Sequence, residues 1–188
     1  MIVTDIKDLK DICVPIASAE EEKEIVEQLE KELEISGNNG FPGIGLAAPQ
    51  IGIKKRVAII RVDKTNTINL INSFIIRGDD TVVSEEGCLS LPGKTSKVKR
   101  FLNLQIKNNS FLNGSTKFAA YGLSAICIQH EMDHWEGILM LDKEISIYDN
   151  IGPNMSCPCK SGLKFKKCCR DKVNQGSKLR GERGQDYG

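Results

Sequence analysis

The two histidines of the chain, His130 and His134, lie four residues apart in the segment QHEMDH. On an α-helix, side chains at positions i and i+4 point to the same side, so both imidazoles can reach one metal ion. Glu131 directly follows the first histidine, where its carboxylate can face a metal-bound water. This spacing predicts a catalytic metal site on a helix. The alternative is a pair of histidines that share a helix face without binding a metal.

A catalytic site of this kind needs a third protein ligand and leaves one coordination position for water. In two classes of H-E-x-x-H enzymes, that ligand is a downstream histidine or glutamate. Met140 stands where the histidine would be, and the first acid after Glu144 is Asp149, so neither class fits well. The segment EGCLS offers the thiolate of Cys88 instead.

A long helix is predicted ahead of these motifs. Ser18 and Glu21 form the capping box that begins a helix, and Gly37 suits its C-terminal cap. An apolar stripe recurs between them at helical spacing and consists of Ile25, Leu29 and Leu33.

Four β-strands and a second helix must position the remaining motifs. The predicted strands are apolar or alternating segments at residues 56–62, 68–78, 101–108 and 115–122, and the helix carrying the histidines covers 123–135. Strands and helices do not alternate along the chain. The sequence therefore predicts an α+β fold, with antiparallel strands packed around a central helix that carries H-E-x-x-H.

Length and charge suggest one compact domain with a small basic appendage. Of the 188 residues, 40% are hydrophobic, enough for a substantial core. Residues 153–188 hold nine Lys/Arg and three Asp/Glu, a net of +6, which leaves −5 for the rest of the chain. A basic appendage favours an anionic partner such as RNA or a membrane surface; a merely solvated tail is the alternative.

The appendage also carries four of the seven cysteines of the chain. Four thiolates on a short loop can enclose a tetrahedral zinc, and a complete set of four indicates a structural site. These cysteines are Cys157, Cys159, Cys168 and Cys169. The N-terminal segment resembles neither a signal peptide nor a presequence, and no apolar run approaches the length of a membrane span. We therefore expect a cytoplasmic protein whose cysteines bind metal or lie buried as thiols.

Three motifs give the chain a family resemblance. GIGLAAPQ (43–50), EGCLS (86–90) and QHEMDH (129–134) occur in the order of the signature motifs of peptide deformylases, and the resemblance covers about residues 5–145. The cysteine-rich segment resembles the SEC-C motif, a zinc-binding appendage. The expected domains are a catalytic domain at 1–149, a linker at 150–156, a zinc motif at 157–170 and a basic, flexible tail at 171–188.

The deformylase resemblance implies a ligand set and a mechanism. Cys88, His130 and His134 would bind the metal, and Glu131 would act as general base and then general acid for a metal-bound water. The side-chain amide of Gln50 and the backbone N–H of Leu89 would stabilise the oxyanion. The ligand types suit Fe²⁺, Zn²⁺, Ni²⁺ or Co²⁺, and the resemblance implies Fe²⁺ as the physiological ion.

The resemblance also implies a peptide-binding cleft. Small residues, among them Gly43 and Gly45, would keep one strand narrow enough for a peptide to pair with it. The other expected contacts of the substrate are the pocket residues Ile44, Leu123, Ile126 and Cys127 and the arginine Arg100; ordinary core packing is an alternative for the three helix residues.

The expected function is hydrolysis of the formyl group from the N-terminal formyl-methionine of nascent polypeptides. Two alternatives remain at this point: a zinc peptidase, and a deformylase-like sensor or docking protein that binds metal without turnover. The basic appendage would contact the ribosome, or another anionic or chaperone partner.

Overall fold

The computed structural model describes residues 1–40, 42–63, 66–146, 148–149 and 151–173. It divides into two compact units, of which the first ends at Glu144 and the second begins at Ile145. The second unit therefore begins five residues earlier than the predicted linker at 150. Most of the predicted flexible tail, residues 174–188, lies outside the described residues. Within those residues, no helix combines the length and apolar character needed to cross a membrane.

Helix α1 (Ala19–Asn38) begins where the capping signal predicts. The Ser18 hydroxyl accepts a hydrogen bond from the backbone N–H of Glu21, and the Glu21 carboxylate accepts one from Ala17. The helix runs through Gly37 instead of ending there, and Gly40 takes the left-handed conformation beyond its end, with φ +83°. The predicted apolar stripe is buried against the first sheet.

Six strands form two three-stranded antiparallel sheets. The first sheet contains β1 (Gly45–Ala47), β2 (Val57–Arg61) and β3 (Thr67–Ile71), in that order. The second contains β4 (Phe74–Gly87), β5 (Thr95–Ser110) and β6 (Gly114–Tyr121). Central strand β2 is apolar along most of its length because both of its faces are buried.

The single strand predicted over residues 68–78 is two strands in the structure. Asn72 adopts a left-handed conformation with φ +44°, and its side chain both donates to and accepts from the backbone of Ile16. The chain therefore leaves the first sheet at Asn72 and enters the second as β4. Strand β4 also extends to Gly87, so the acids of the EEGCLS segment belong to a strand and not to a loop.

Helix α2 (Gly122–Trp135) carries the histidine motif and contacts strands of both sheets. Its inner side chains Ala125, Ile128 and Trp135 share one core with residues of β2 and β5. The indole N–H of Trp135 donates to the Val57 carbonyl over 3.2 Å, which ties the end of the helix to the first sheet. The α+β fold with antiparallel strands around a central helix is confirmed.

The cysteine knuckle, which we define as residues 153–170, belongs to the second unit. A bridge between Ser156 and Lys164 closes its loop, and the backbone N–H of Cys157 donates to the Leu163 carbonyl over 2.8 Å. Phe165 is buried at the start of a short 3-10 turn. These bonds bring the two cysteine pairs together.

Candidate active site

Three metal-ligating side chains meet between β4 and α2. Cys88 follows the last residue of β4, and His130 and His134 lie one turn apart on α2. Their ligand atoms all lie within 4.8 Å of one another. The distance from Cys88 Sγ to His134 Nε2 is 3.4 Å. A tetrahedral ion with metal–sulfur and metal–nitrogen bonds of about 2.3 and 2.0 Å separates these atoms by about 3.5 Å, so the three residues fit a metal ion.

Glu86 orients the first histidine. Its Oε2 atom lies 2.9 Å from His130 Nδ1, which leaves Nε2 of that ring available to a metal. Burial disfavours the charged form of Glu86, but hydrogen bonds from Arg100 and His130 outweigh burial and lower the pKa of Glu86 to about 2. The carboxylate therefore stays ionised and accepts the Nδ1 proton of His130.

Arg100 lies behind this carboxylate and not in the substrate cleft. Its side chain is 2% exposed, and its Nε and Nη2 atoms bind the two oxygens of Glu86 at 2.7 and 2.9 Å. Its Nη1 atom binds Asp133 at 2.6 Å, and Lys143 binds the other oxygen of Asp133. The sequence predicts that Arg100 contacts substrate; in the structure its bonds go to two acids, one of which, Glu86, also bonds His130.

The surroundings of the two imidazoles shift their pKa values in opposite directions. Burial opposes a charge on His130, but its hydrogen bonds to Cys88 and Glu86 raise its pKa to about 10. Burial and the neighbouring His130 lower the pKa of His134 to about 3.

Glu131 lies beside the ligands without belonging to their cluster. Its side chain is buried, and burial raises its pKa to about 7. Its Oε2 atom has no hydrogen-bond partner within the described part of the chain. A Cβ atom at Gly45 would lie 2.7 Å from Glu131 Oε1, so only glycine lets β1 approach this carboxylate so closely. The arrangement leaves a carboxylate oxygen free to exchange a proton with a bound molecule.

Gln50 presents its amide nitrogen to the same site. The residue lies in a 3-10 turn (Ala48–Ile51), and its Oε1 atom accepts a hydrogen bond from the Ala47 N–H over 2.8 Å. This bond directs Nε2 toward Ser90 Oγ at 3.3 Å and Cys88 Sγ at 3.4 Å. Leu89 lies in the adjacent turn, which is closed by the N–H of Leu91 donating to the Cys88 carbonyl.

A cavity of about 890 Å³ opens onto these groups. Six of the predicted substrate residues line it, and Arg100 does not; the six are Gly43, Ile44, Gly45, Leu123, Ile126 and Cys127. Burial raises the pKa of the Cys127 thiol to about 12, so this residue contributes an apolar, protonated wall. Helix α1 contributes Glu32, Ile35 and Ser36 to the lining of the cavity.

Sequence reasoning missed Glu86 and Asp133 as supports of the site. The available signal for Glu86 was its spacing of two residues from Cys88. In an extended chain, residues i and i+2 face the same side, so both side chains can face one site. Asp133 offered no comparable local signal, because its partner Arg100 is distant along the chain.

The four knuckle cysteines form a second cluster, with all four sulfur atoms within 4.8 Å of one another. Cys168 Sγ lies 3.4 Å from Cys159 Sγ and 3.7 Å from Cys169 Sγ, and all four cysteines are free thiols. Metal–sulfur bonds of about 2.3 Å in a tetrahedron give sulfur separations of about 3.8 Å. The cluster therefore fits one tetrahedrally coordinated metal ion. These two clusters are the candidate metal sites found among the described residues.

Comparison with protein families gives two matches. A family model described as polypeptide deformylase matches residues 2–149, and one described as SEC-C motif matches residues 154–171. The peptide deformylase of Desulforudis audaxviator is 41% identical over 107 residues, covering 56% of this chain and 70% of that protein. The peptide deformylase of Hydrogenovibrio crunogenus is 35% identical over 138 residues, covering 71% of this chain and 78% of that protein.

Solved structures agree with the sequence matches. The peptide deformylase of Thermotoga maritima superposes with a TM-score of 0.69 at 28% identity, covering 78% of this chain and 97% of that one. A peptide deformylase of Synechococcus elongatus, solved in complex with actinonin, superposes with a TM-score of 0.70 at 30% identity, covering 79% and 80% of the two chains.

Proposed function

The chain belongs to the polypeptide deformylase family, whose members remove the formyl group from nascent polypeptides. From this premise, we propose which residue performs each step of the reaction. One observation supports these roles. The three candidate metal ligands, the unpaired carboxylate oxygen of Glu131 and the side-chain amide of Gln50 lie together at one cavity. Cys88, His130 and His134 hold the catalytic ion. When bound, a divalent ion there acts as a Lewis acid that makes water a better nucleophile and polarises the formyl carbonyl.

Glu131 moves the protons of the reaction. Its carboxylate accepts a proton from the attacking water and later gives a proton to the leaving amine of methionine. Gln50 Nε2 and the Leu89 N–H donate to the oxygen that becomes negative as the carbonyl carbon turns tetrahedral. The Gln50 amide is oriented before substrate binds, since its Oε1 atom accepts from the Ala47 N–H and its Nε2 atom donates to Ser90 Oγ.

The cleft binds the substrate as an extended strand. The peptide backbone would pair with β1, the edge strand of the first sheet, where Gly43 and Gly45 line the cavity. The apolar side chains of Ile44, Leu123 and Ile126 suit the methionine side chain, and burial of that side chain would select formyl-methionine over polar residues.

Fe²⁺ is the proposed physiological ion, and Zn²⁺, Ni²⁺ or Co²⁺ can occupy the same ligands. The zinc-peptidase alternative requires a downstream histidine or acid as third ligand. Neither cluster among the described residues contains one. A sensor without turnover would require neither the free Glu131 carboxylate nor the orientation of Gln50.

The cysteine knuckle holds a structural zinc and serves as a docking module. Its basic side chains, all exposed, are Lys160, Lys164, Lys166, Lys167 and Arg170. Such a surface favours the phosphates of ribosomal RNA. Docking there would keep the enzyme near its nascent substrates in the cytoplasm.

Metal analysis tests the two ligand sets. The wild-type chain should carry two ions, and Cys88→Ala should lose only the catalytic ion together with formate release. Cys13→Ala is the matched control, because Cys13 is buried away from both clusters, and it should keep both ions. One ion in the wild type, or loss of both in Cys88→Ala, would contradict the assignment.

A further inference from the structure

The outer face of the second sheet carries exposed aromatic rings among lysines. Along β5, the buried side chains fall at even-numbered positions such as Leu104 and Ile106, which share one core with α2. The odd-numbered side chains therefore point outward, about 7 Å apart along the strand. Residues of β6 that pair directly with odd-numbered positions of β5 share this face. We call it the lysine–aromatic face, and its residues are Lys97, Lys99, Phe101, Lys107, Lys117 and Tyr121.

The two rings of this face are neighbours on different strands. Tyr121 pairs with Asn103, two residues from Phe101, so the two rings occupy diagonal positions. Phe101 is 39% exposed and Tyr121 is 66% exposed. A Cβ atom at Gly78 would lie 2.5 Å from the Phe101 ring, so glycine lets this ring lie against β4. The ring is thus held in place while part of its surface stays open to a planar group.

The charge of this face is opposite to that of the body of the protein. Of its acids, Asp79 pairs with Arg77, Asp80 accepts a hydrogen bond from Asn103, and Glu85 lies opposite Lys97. None of the four lysines makes an ion pair with another described residue. With Arg77, five basic and three acidic side chains give a net charge of +2, whereas residues 1–152 carry −5 in total. The face therefore suits a partner that is both anionic and aromatic.

We propose that the lysine–aromatic face binds single-stranded RNA. Bases stack on Phe101 and Tyr121, and the lysines contact the phosphates. An unpaired strand is required, because the bases of a duplex already stack on one another and cannot cover these rings. This inference goes beyond the deformylase reaction and beyond the docking role of the knuckle, since all of these residues lie in the first unit.

Two other occupants fit the face less well. In a twofold contact between two copies of the chain, the same patch meets itself, so the four lysines of each copy would face those of the other. A membrane-inserting surface needs apolar side chains that reach about 5–10 Å into the lipid. Phe101 instead lies against Gly78 within the sheet. Stacking on a planar base needs no such protrusion.

The test measures binding of a fluorescein-labelled, mixed-sequence single-stranded RNA to the full chain by fluorescence anisotropy. The double variant Phe101→Leu/Tyr121→Leu keeps every charge, and we expect it to bind about tenfold more weakly because it loses the stacked bases. Phe111→Leu is the matched control. Phe111 is 48% exposed but lies in the turn after β5, so its loss should leave the affinity unchanged. An abasic strand with the same number of phosphates should bind the wild type and the double variant equally.

A second variant tests the lysines at exposed positions where folding is not at risk. Lys97→Gln/Lys99→Gln should reduce the slope of log affinity against log salt by about 1.4, because each phosphate contact on a single strand contributes about 0.7. Equal RNA affinity of the wild type and both double variants would overturn the proposal. It would also be overturned if the variants changed only self-association, measured by sedimentation, or only binding to phosphatidylserine vesicles.

Discussion

At the scale of single residues, Glu86 connects a metal ligand to a buried cation. It accepts from His130 Nδ1 and binds Arg100 through both oxygens. Both Glu86 and Arg100 face inward from neighbouring strands, where Glu86 pairs with Ser96 and Arg100 with Val82. The carboxylate thus fixes the tautomer of His130 and strengthens its Nε2 atom as a ligand.

Glu86→Gln should therefore weaken binding of the catalytic ion by about 10–100-fold while the knuckle ion stays bound. The amide has nearly the shape of the carboxylate but lacks the charge that supports His130 and balances Arg100. Competition with a chelator, followed by metal analysis, measures the change. Glu85→Gln is the matched control, because Glu85 is the exposed neighbour on the opposite face of β4. Equal affinity of the two variants would contradict this role of Glu86.

The metal ligands could be predicted from the sequence because their signals are local or motif-based. H-E-x-x-H spacing needs only a helix, and Cys88 lies within a recognisable motif. The position of Arg100 could not be predicted, because burial of its charge depends on Glu86 and on Asp133, two residues of other elements. An arginine on an alternating strand gives no local sign of which partner it meets.

At the scale of secondary-structure elements, strand β1 lies unusually close to the Glu131 carboxylate of α2. Gly45 pairs with Ile60 of β2, and a Cβ atom there would lie 2.7 Å from Glu131 Oε1 and 2.9 Å from Ile60 Cδ1. The glycine therefore allows β1 to lie close against the Glu131 carboxylate of α2. Its role is steric, since its φ is not in the left-handed region.

Gly45→Ala should lower turnover by up to about 10², the scale expected when a reacting group moves by about 1 Å. The atoms nearest to the added methyl group belong to Glu131 and Ile60 and not to a metal ligand, so the metal content should not change. Formate release and metal analysis of the same preparation measure both effects. Gly37→Ala is the control: its Cβ would meet nothing within 4 Å in α1, and it should stabilise the fold by about 0.5–1 kcal/mol with normal turnover. Normal turnover in Gly45→Ala would show that the carboxylate has room to move.

Most of these elements could be predicted, and their ends could not. The start of α1 follows from the local capping signal at Ser18. The break that divides residues 68–78 into two strands depends instead on hydrogen bonds between Asn72 and Ile16, which are far apart in sequence. The end of α1 shows the same limitation, since Gly37 is compatible with either a cap or a helical turn.

At the scale of the whole molecule, two metal-binding units occur on one chain. The catalytic cluster lies entirely in the unit that ends at Glu144, and the four cysteines lie in the unit that begins at Ile145. The catalytic cavity is lined by residues of the first unit alone. This separation supports our proposal that the knuckle docks the enzyme and takes no part in its chemistry.

Deletion of residues 153–188 should leave kcat/KM on a short formyl peptide within a few-fold of the full chain. Ribosome binding should weaken, because the deletion removes a net charge of +6. The difference between the chains should shrink as salt rises, since exposed charges are screened over about 10 Å at 0.1 M. Co-sedimentation at several salt concentrations measures it. Cys168→Ser keeps every basic side chain of the tail. It should also weaken ribosome binding, because the proposed zinc ion orders the surface that binds. Loss of turnover on the short peptide would show that the knuckle completes the catalytic fold.

The most direct test of the central claim is formate release from formyl-Met-Ala-Ser by anaerobically prepared protein, with Glu131→Ala measured beside the wild type. The wild type should release formate, and Glu131→Ala should keep its metal while its turnover falls by about 10² or more. Glu34→Ala, an exposed position of α1, should behave as the wild type. Near-normal turnover in Glu131→Ala, or no formate from wild-type protein with its catalytic site filled, would contradict the account.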